Sequence, residues 1–164
     1  MRRPGREILK TFMRSTPESS PLEPLLRARF SRGSRLLKPP SFEAVYKNGR
    51  RHFSNSMTFF YVLRSEDRVA GSGRAERAQV GFTVGRPLGG AVERNRIKRR
   101  VRDAVRLNLP GLNQALASRS LAAEIVINPK KSAMHSATLK DEVMRAFEAI
   151  ASGKEGIARP GAKN

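Results

Sequence analysis

The sequence predicts an α+β fold, a two-layer sandwich in which helices pack against one sheet of about four strands. Segments with helical periodicity and segments rich in β-forming residues follow one another in the order α-β-β-β-α-β-α. The chain has 164 residues, enough for one domain with a modest core, and shows no internal repeat. It has no cysteine, so disulfides and Cys-based zinc sites are excluded.

The two ends of the chain differ from its middle. Residues 1–34 combine prolines, serines and arginines without a sustained apolar period, which predicts a basic, disordered N-terminal arm. The domain is expected to cover residues 35–151, and residues 152–164 to form a flexible tail. The N-terminus lacks the apolar stretch of a signal peptide, and no apolar run approaches the ~20 residues of a membrane span. We therefore expect a cytoplasmic protein with no membrane partner.

The first helix is expected between Ser41, a good N-cap, and Gly49, a good C-terminal stop. Phe42, Val45 and Tyr46 follow at i, i+3 and i+4, so the helix has an aromatic side. Two turns are not stable in isolation. This helix must pack on the sheet.

Residues 57–63 predict a strand with apolar side chains on both faces, preceded by a shorter strand around residues 52–55. Period 2 places Met57, Phe59, Tyr61 and Leu63 on one face, and Thr58, Phe60 and Val62 on the other. Residues 78–84 predict the next strand, after a charged loop. Two strands about such a loop are expected to pair in the antiparallel sense.

The second half predicts a basic helix from Ala91, a strand at residues 124–128 and a final helix. Asn108-Leu109-Pro110-Gly111 is expected to end the basic helix. Thr138 with Asp141 resembles a capping box at the start of the last helix. The apolar face of that helix carries Leu139, Val143, Phe147 and Ile150.

The basic helix is the most unusual segment. Residues 91–106 contain seven arginines and lysines against two acids, in a chain whose net charge is +19. Arg94, Lys98, Arg102 and Arg106 form one stripe, which Arg96, Arg99 and Arg100 widen. The apolar seam consists of Ile97, Val101, Ala104 and Val105. Like charges one turn apart repel, so the pattern indicates a polyanionic partner rather than a solvated basic face.

Residues able to perform catalysis are sparse. His52 and His135 lie in unrelated segments, no carboxylate pair stands out, and the turn at residues 85–90 lacks a phosphate-binding P-loop pattern. The sequence thus favours a binding surface over an autonomous active site. A nuclease that cleaves RNA without a partner is kept as a less favoured hypothesis. A second surface could form where Phe42 and Tyr46 meet Phe59 or Tyr61, in a cleft that stacks unpaired bases. The alternative is that these aromatic residues belong to the core.

The segment RNRIKRRVR at Arg94 to Arg102, preceded by Gly89-Gly90-Ala91-Val92, resembles the signature of the bacterial ribonuclease P protein subunit. The resemblance runs from about Arg35 to Ile150 and includes VGFTVG at residues 80–85. It departs from the family pattern at Arg86-Pro87 and Gly90, which affects details of the turn. The resemblance implies an α/β sandwich with a left-handed β-α-β crossover, against the usual hand.

The resemblance also implies the activity. The family's RNA is the catalyst and uses bound Mg²⁺ to cleave the 5′ leader from precursor tRNA, while the protein holds the catalytic RNA and the leader. No metal in the protein and no obligate protein partner are expected. Positions matching the RNA-subunit contact are Arg94, Asn95, Arg96, Lys98, Arg99 and Arg102. Positions matching the leader cleft are Phe42, Tyr46, Phe59 and Tyr61. The alternative function is a ribosomal or RNA-chaperone protein that binds structured RNA without processing it.

Overall fold

A computed structural model describes residues 29–65 and 76–153, and its elements follow the predicted order. The helices and strands are α1 Pro39–Asn48, β1 Arg50–Phe53, β2 Met57–Ser65, β3 Ala78–Phe82, α2 Ala91–Ala117, β4 Leu121–Pro129 and α3 Leu139–Ser152. Short 3₁₀ turns precede α2 and α3. The predictions for residues 1–28, for the Gly71-Ser72-Gly73 loop and for residues 154–164 lie outside the described residues.

The four strands form one mixed sheet in the order β1-β2-β4-β3. β2 pairs with β1 and β4 in the antiparallel sense, and β3 pairs with β4 in the parallel sense. The predicted antiparallel pair of β2 and β3 is therefore wrong, because β4 lies between them. Ile125, Val126 and Ile127 of β4 are fully buried on both faces, which suits a central strand. The β3-α2-β4 connection is the expected β-α-β crossover, and its left hand stays a prediction.

The main core lies between the sheet and the pair α2 and α3. The predicted seam of α2 is confirmed, since Ile97, Val101 and Val105 are fully buried there. From the sheet, this core receives Met57, Phe59, Tyr61, Val80, Ile125 and Ile127. α1 covers part of the opposite face with a smaller cluster centred on Val45 and Phe60.

α2 does not end where the sequence predicted, but continues through Pro110 to Ala117. A proline inside a helix costs about 3 kcal/mol, because it removes one hydrogen bond and crowds the preceding turn. Leu112 and Leu116 lie beyond it and are buried, each contributing roughly 1.5–3 kcal/mol. The Asn113 side chain also accepts a hydrogen bond from the Ala78 amide at 3.0 Å. These contacts with the rest of the domain offset the cost of the proline.

The boundaries of the domain also differ from the prediction. Phe30 is buried against Phe82, with ring centroids 5.7 Å apart, and Ser34 is buried beside the edge of β3. The packed domain therefore begins before residue 35. α1 starts at Pro39 rather than after Ser41, because proline is well suited to the first helical turn. It stops at Gly49 as predicted, where an added Cβ would lie 2.2 Å from the Val45 carbonyl oxygen.

The expected capping box of α3 does not form. Thr138 occupies the N-cap position, but its side chain makes no capping hydrogen bond to the helix backbone. Instead, its hydroxyl donates to Glu142 at 3.2 Å.

Candidate nucleic-acid interface

The first candidate surface is the outer face of the N-terminal half of α2. The helix begins after Gly90, whose amide donates to the Glu93 carboxylate at 2.8 Å. This bond satisfies one of the amides left open at a helix start. Because Ile97, Val101, Ala104 and Val105 point into the core, the opposite side of the helix, which carries Arg94 to Arg96, Lys98, Arg99 and Arg102, is turned away from it. The sequence thus fixes both the anchoring and the orientation of the basic face.

Six predicted contact residues lie together on this outer face. Asn95, Arg96, Arg99 and Arg102 are exposed, and Arg94 and Lys98 are partly exposed. Their side chains form no hydrogen bond or ion pair with the described residues, and Arg94 Nε is buried without a partner. We call these six residues the RNR face. Five cations on one face, none of them paired with an acid among the described residues, form a strong site for anions.

Two arginines that the sequence placed on this cationic surface contact the protein itself. Arg100 donates to the carbonyl oxygens of Met134 and Ser136, the latter at 2.7 Å. Arg106 pairs with Asp103 at 2.6 Å, one turn away on the helix. Arg100 therefore fastens α2 to the loop before α3, and the open cationic surface is narrower than predicted.

The second candidate surface is a cleft between α1 and the sheet. The Tyr46 ring stands edge-on to the Phe60 ring at a centroid distance of 4.9 Å. The Phe42 ring lies directly over Gly81, where an added Cβ would be 2.5 Å from Phe42 Cζ. Val62 packs against the same cluster. Phe42, Tyr46 and Val62 are partly exposed, so apolar and aromatic atoms remain accessible in this cleft.

A polar group borders the cleft where β3 and β4 end. The Tyr46 hydroxyl lies 2.9 Å from Thr83 Oγ1 and 2.8 Å from Asn128 Oδ1. A hydroxyl has a single proton, so it can donate to Asn128 while accepting from Thr83. This arrangement holds the Tyr46 ring in place and orients the Asn128 amide.

The structure separates the four residues predicted for this cleft. Phe59 is 0% and Tyr61 1% exposed, and both lie on the opposite face of the sheet in the main core. The Phe59 ring faces the Phe147 ring of α3 at 6.4 Å. The inclusion of Phe59 and Tyr61 in the cleft is therefore wrong. Phe60 and Val62, from the other face of the same strand, stand beside Phe42 and Tyr46 instead.

A model of the Ribonuclease P family matches residues 30–151, which contain both surfaces. The chain belongs to the Ribonuclease P family. The ribonuclease P protein component of Chloroflexus aggregans is 42% identical over 81 residues, which is 49% of this chain and 53% of the relative. That of Symbiobacterium thermophilum is 35% identical over 114 residues, 70% of this chain and 88% of the relative. The match to the first of these relatives spans about half of its length.

Solved structures of Ribonuclease P family proteins have the same fold. The RNase P protein from Thermotoga maritima superposes with a TM-score of 0.52 at 20% identity, covering 70% of this chain and 94% of that one. The RNase P protein of Staphylococcus aureus gives a TM-score of 0.50, also at 20% identity, covering 71% and 94%. The α+β sandwich predicted from the resemblance is thus confirmed.

In this member of the Ribonuclease P family, the described residues contain no group of three or more histidines or acids that could hold a metal ion. No helix within residues 29–65 and 76–153 is long and apolar enough to cross a membrane. One carboxyl group has a shifted pKa. Partial burial raises the pKa of Glu142, but hydrogen bonds from Ser54, Ser56 and Ser136 outweigh this effect, so the net shift is downward. Glu142 ties the β1-β2 turn to α3 and lies outside both candidate surfaces.

Proposed function

We propose that this chain is the protein subunit of ribonuclease P, an endonuclease that removes the 5′ leader of precursor tRNA with its catalytic centre in an RNA subunit. The family match over residues 30–151 carries the proposal, because it spans the RNR face and the cleft in one domain. The relatives matched in Chloroflexus aggregans and Symbiobacterium thermophilum are both named ribonuclease P protein components. A ribosomal or chaperone role is not favoured by any of these matches.

The RNR face is proposed to bind the RNA subunit. Its cations have no acid partners, so a phosphate backbone meets charges that are already arranged and unneutralised. Each phosphate contact releases condensed counterions, so affinity falls as salt rises. Arg contributes a planar fork suited to phosphate. Asn95, exposed among these cations, can form hydrogen bonds with base edges or riboses.

The cleft is proposed to bind the single-stranded 5′ leader. Unpaired bases stack on aromatic side chains with about 1–3 kcal/mol per base, largely independent of sequence. Phe42 and Tyr46 are partly exposed over a floor that contains Phe60. Mature tRNA has no leader, so contacts in this cleft distinguish substrate from product.

Catalysis is proposed to reside in the RNA. Mg²⁺ takes carboxylate, phosphate and water oxygens as ligands, which the phosphates of an RNA supply, whereas the cations of the RNR face would repel it. The Mg²⁺ that the reaction uses is therefore assigned mainly to the RNA subunit. The role of the protein is to bind and orient the two RNAs.

Salt-dependent binding to the cognate RNA subunit tests the first contact. Replacing Arg94, Lys98 and Arg102 by Ala should weaken binding and flatten the plot of log affinity against log salt by about 0.7–0.9 per lost contact. Arg64, which pairs with Glu124 at 2.9 Å, provides the control substitution. An unchanged slope in the triple variant would show that the RNR face does not bind the RNA subunit.

Precursor and mature tRNA affinities of the holoenzyme test the second contact. Tyr46→Ala should reduce precursor affinity about tenfold, the loss of ~1.4 kcal/mol of stacking, and leave mature tRNA unaffected. Phe59→Leu, in the core on the other face, should lower stability without changing the precursor preference. A wild-type protein that neither favours precursor tRNA nor accelerates leader removal at low Mg²⁺ would contradict the proposed function. Ribosomal RNA co-purifying with the protein would favour the alternative.

A further inference from the structure

Two neighbouring arginines on β1 lie on opposite faces of the sheet. The register pairs Arg50 with Tyr61 on the helix-covered face, and Arg51 with Phe60 on the cleft face. Arg50 donates to the Gly153 carbonyl at 3.4 Å. The Arg51 guanidinium lies 5.6 Å from the centroid of the Phe60 ring. Arg51 therefore continues the aromatic floor of the cleft with a positive charge.

The hydrogen bonding of Arg51 is incomplete. Among the described residues, two buried side-chain nitrogens have no partner, and these are Nε of Arg51 and Nε of Arg94. Other arginines that contact the protein donate to carbonyl or carboxylate oxygens, namely Arg35, Arg64, Arg100, Arg106 and Arg119. A buried charged donor without an acceptor is unfavourable. Arg51 is only partly buried, and its two terminal guanidinium nitrogens also lack a partner among the described residues without being buried. These terminal nitrogens are the atoms that an anionic acceptor from outside the protein can reach, as on the RNR face, to which Arg94 belongs.

An exposed aromatic residue accompanies Arg51 on the same face. Phe53 pairs with Thr58, two residues along the strand from the Arg51–Phe60 pair, a separation of about 6.7 Å. Its side chain is 54% exposed, although most phenylalanines of this domain are buried or partly buried. A cation stacked on one ring and an exposed ring beside it are the elements of single-strand nucleic-acid sites.

We propose that β1 extends the leader site, with Arg51 binding a phosphate of the 5′ leader and Phe53 stacking on a leader base. This assignment rests on the proposed function. The Arg51 fork can bind two phosphate oxygens, and its stacking on Phe60 holds the guanidinium in the cleft face. A leader that passes between Phe42 and Tyr46 continues over Phe60 towards the edge strand β1.

The test compares Arg51→Gln with Arg50→Gln in the holoenzyme assembled on the cognate RNA subunit. Affinity is measured for precursor tRNA with a long leader, for precursor with a single-nucleotide leader, and for mature tRNA. Arg51→Gln should weaken the long-leader precursor about tenfold, ~1.4 kcal/mol, and flatten its salt dependence by about 0.7. The precursor with a single-nucleotide leader and mature tRNA should bind the Arg51→Gln holoenzyme as tightly as they bind the wild type. Phe53→Ser should weaken the long-leader precursor severalfold without changing the salt slope.

The control residue and a conservative variant separate the outcomes. Arg50→Gln should leave all three affinities unchanged, while Arg51→Lys, which keeps the charge but loses the fork, should fall between wild type and Arg51→Gln. Equal losses for all three RNAs, weakened assembly with the RNA subunit, or no loss at all would each overturn the assignment of Arg51. If the wild-type holoenzyme binds long-leader precursor more tightly than mature tRNA and Arg51→Gln shows the same preference, only the assignment of Arg51 fails. If the wild-type holoenzyme shows no such preference, the proposed function fails as well.

Discussion

The Glu142 carboxylate offers a sharp test of how the domain is held together. Its two oxygens accept hydrogen bonds from the Ser54 hydroxyl at 2.7 Å and from the Ser56 amide and hydroxyl, each at 2.9 Å. Ser136 and Thr138 hydroxyls add bonds at 3.2 Å. One side chain near the N-terminus of α3 therefore joins the β1-β2 turn to the helical layer. We expect Glu142→Gln to destabilise the domain without affecting RNA contacts directly.

The magnitude follows from what glutamine retains. A hydrogen bond to a charged group contributes about 1.5–3 kcal/mol, and a neutral one about 0.5–1.5. Glutamine keeps one acceptor oxygen, which can still receive the Ser56 amide, but its NH₂ group faces hydroxyls that must reorient. Partial solvent exposure reduces the loss further. We expect a decrease of about 1–2 kcal/mol in the free energy of unfolding at pH 7, or roughly 5 °C in Tm for a domain of this size.

The stabilisation by Glu142 should depend on pH, and the shift in its pKa gives the direction of that dependence. The pKa of Glu142 is lowered in the folded state, so the unfolded state binds the proton more tightly. The stabilisation is complete above the unfolded pKa of about 4.3 and is lost as pH falls through the folded value. The difference between wild type and Glu142→Gln should therefore shrink at acidic pH. Glu148→Gln, an exposed carboxylate on the same helix, should cost almost nothing.

Denaturant unfolding of wild type, Glu142→Gln and Glu148→Gln at a series of pH values measures these differences. A wild-type advantage over Glu142→Gln that stays constant from neutral pH to well below pH 4 would refute the reasoning. So would equal losses in the two variants, because the hydrogen bonds at Glu142 would then contribute nothing specific.

Two further predictions concern the candidate surfaces. Gly81→Ala should displace the Phe42 ring, since its Cβ would lie 2.5 Å from Phe42 Cζ, and lower precursor affinity severalfold with mature tRNA unchanged. Gly111→Ala has no atom within 4 Å of the added Cβ and should leave both affinities unchanged while adding up to about 1 kcal/mol of stability; equal effects of the two changes on precursor binding would contradict this. Arg100→Gln should lower the free energy of unfolding by about 2 kcal/mol, since two backbone carbonyls lose a charged donor. Arg99→Gln should instead weaken RNA-subunit binding at unchanged Tm, and the opposite pattern would show that the roles of the two arginines are exchanged.

Sequence periodicity predicted the helix seam but not the length of the helix. Ile97, Val101 and Val105 recur with the helical period, and a buried face follows directly from that pattern. Pro110 is a strong local stop signal. Its effect is outweighed by burial of Leu112 and Leu116 against parts of the chain distant in sequence. The sequence neighbouring Pro110 does not include the residues that Leu112 and Leu116 contact. The extension of the helix to Ala117 therefore depends on tertiary structure.

The orientation of β2 shows what the sequence left open at the candidate site. Alternation assigned Phe59 and Tyr61 to one face and Phe60 to the other, and the structure confirms this division. The choice of the open face was wrong because both faces of β2 are rich in apolar side chains. The neighbouring strands contain the missing information.

The helix-covered positions of β3 and β4 are apolar without exception, whereas the cleft face includes polar or charged residues from three strands. These are Thr58 and Arg64 of β2, Gln79 of β3, and Glu124 and Asn128 of β4. The 27-residue α2 and the 14-residue α3 together cover one face of the sheet, so polar side chains are unfavourable there. The 10-residue α1 is too short to cover the whole of the other face, so polar side chains can remain in contact with solvent. Polar residues recurring on one face across several strands therefore mark the layer that stays partly open. By that criterion Phe60, not Phe59, belongs beside Phe42 and Tyr46.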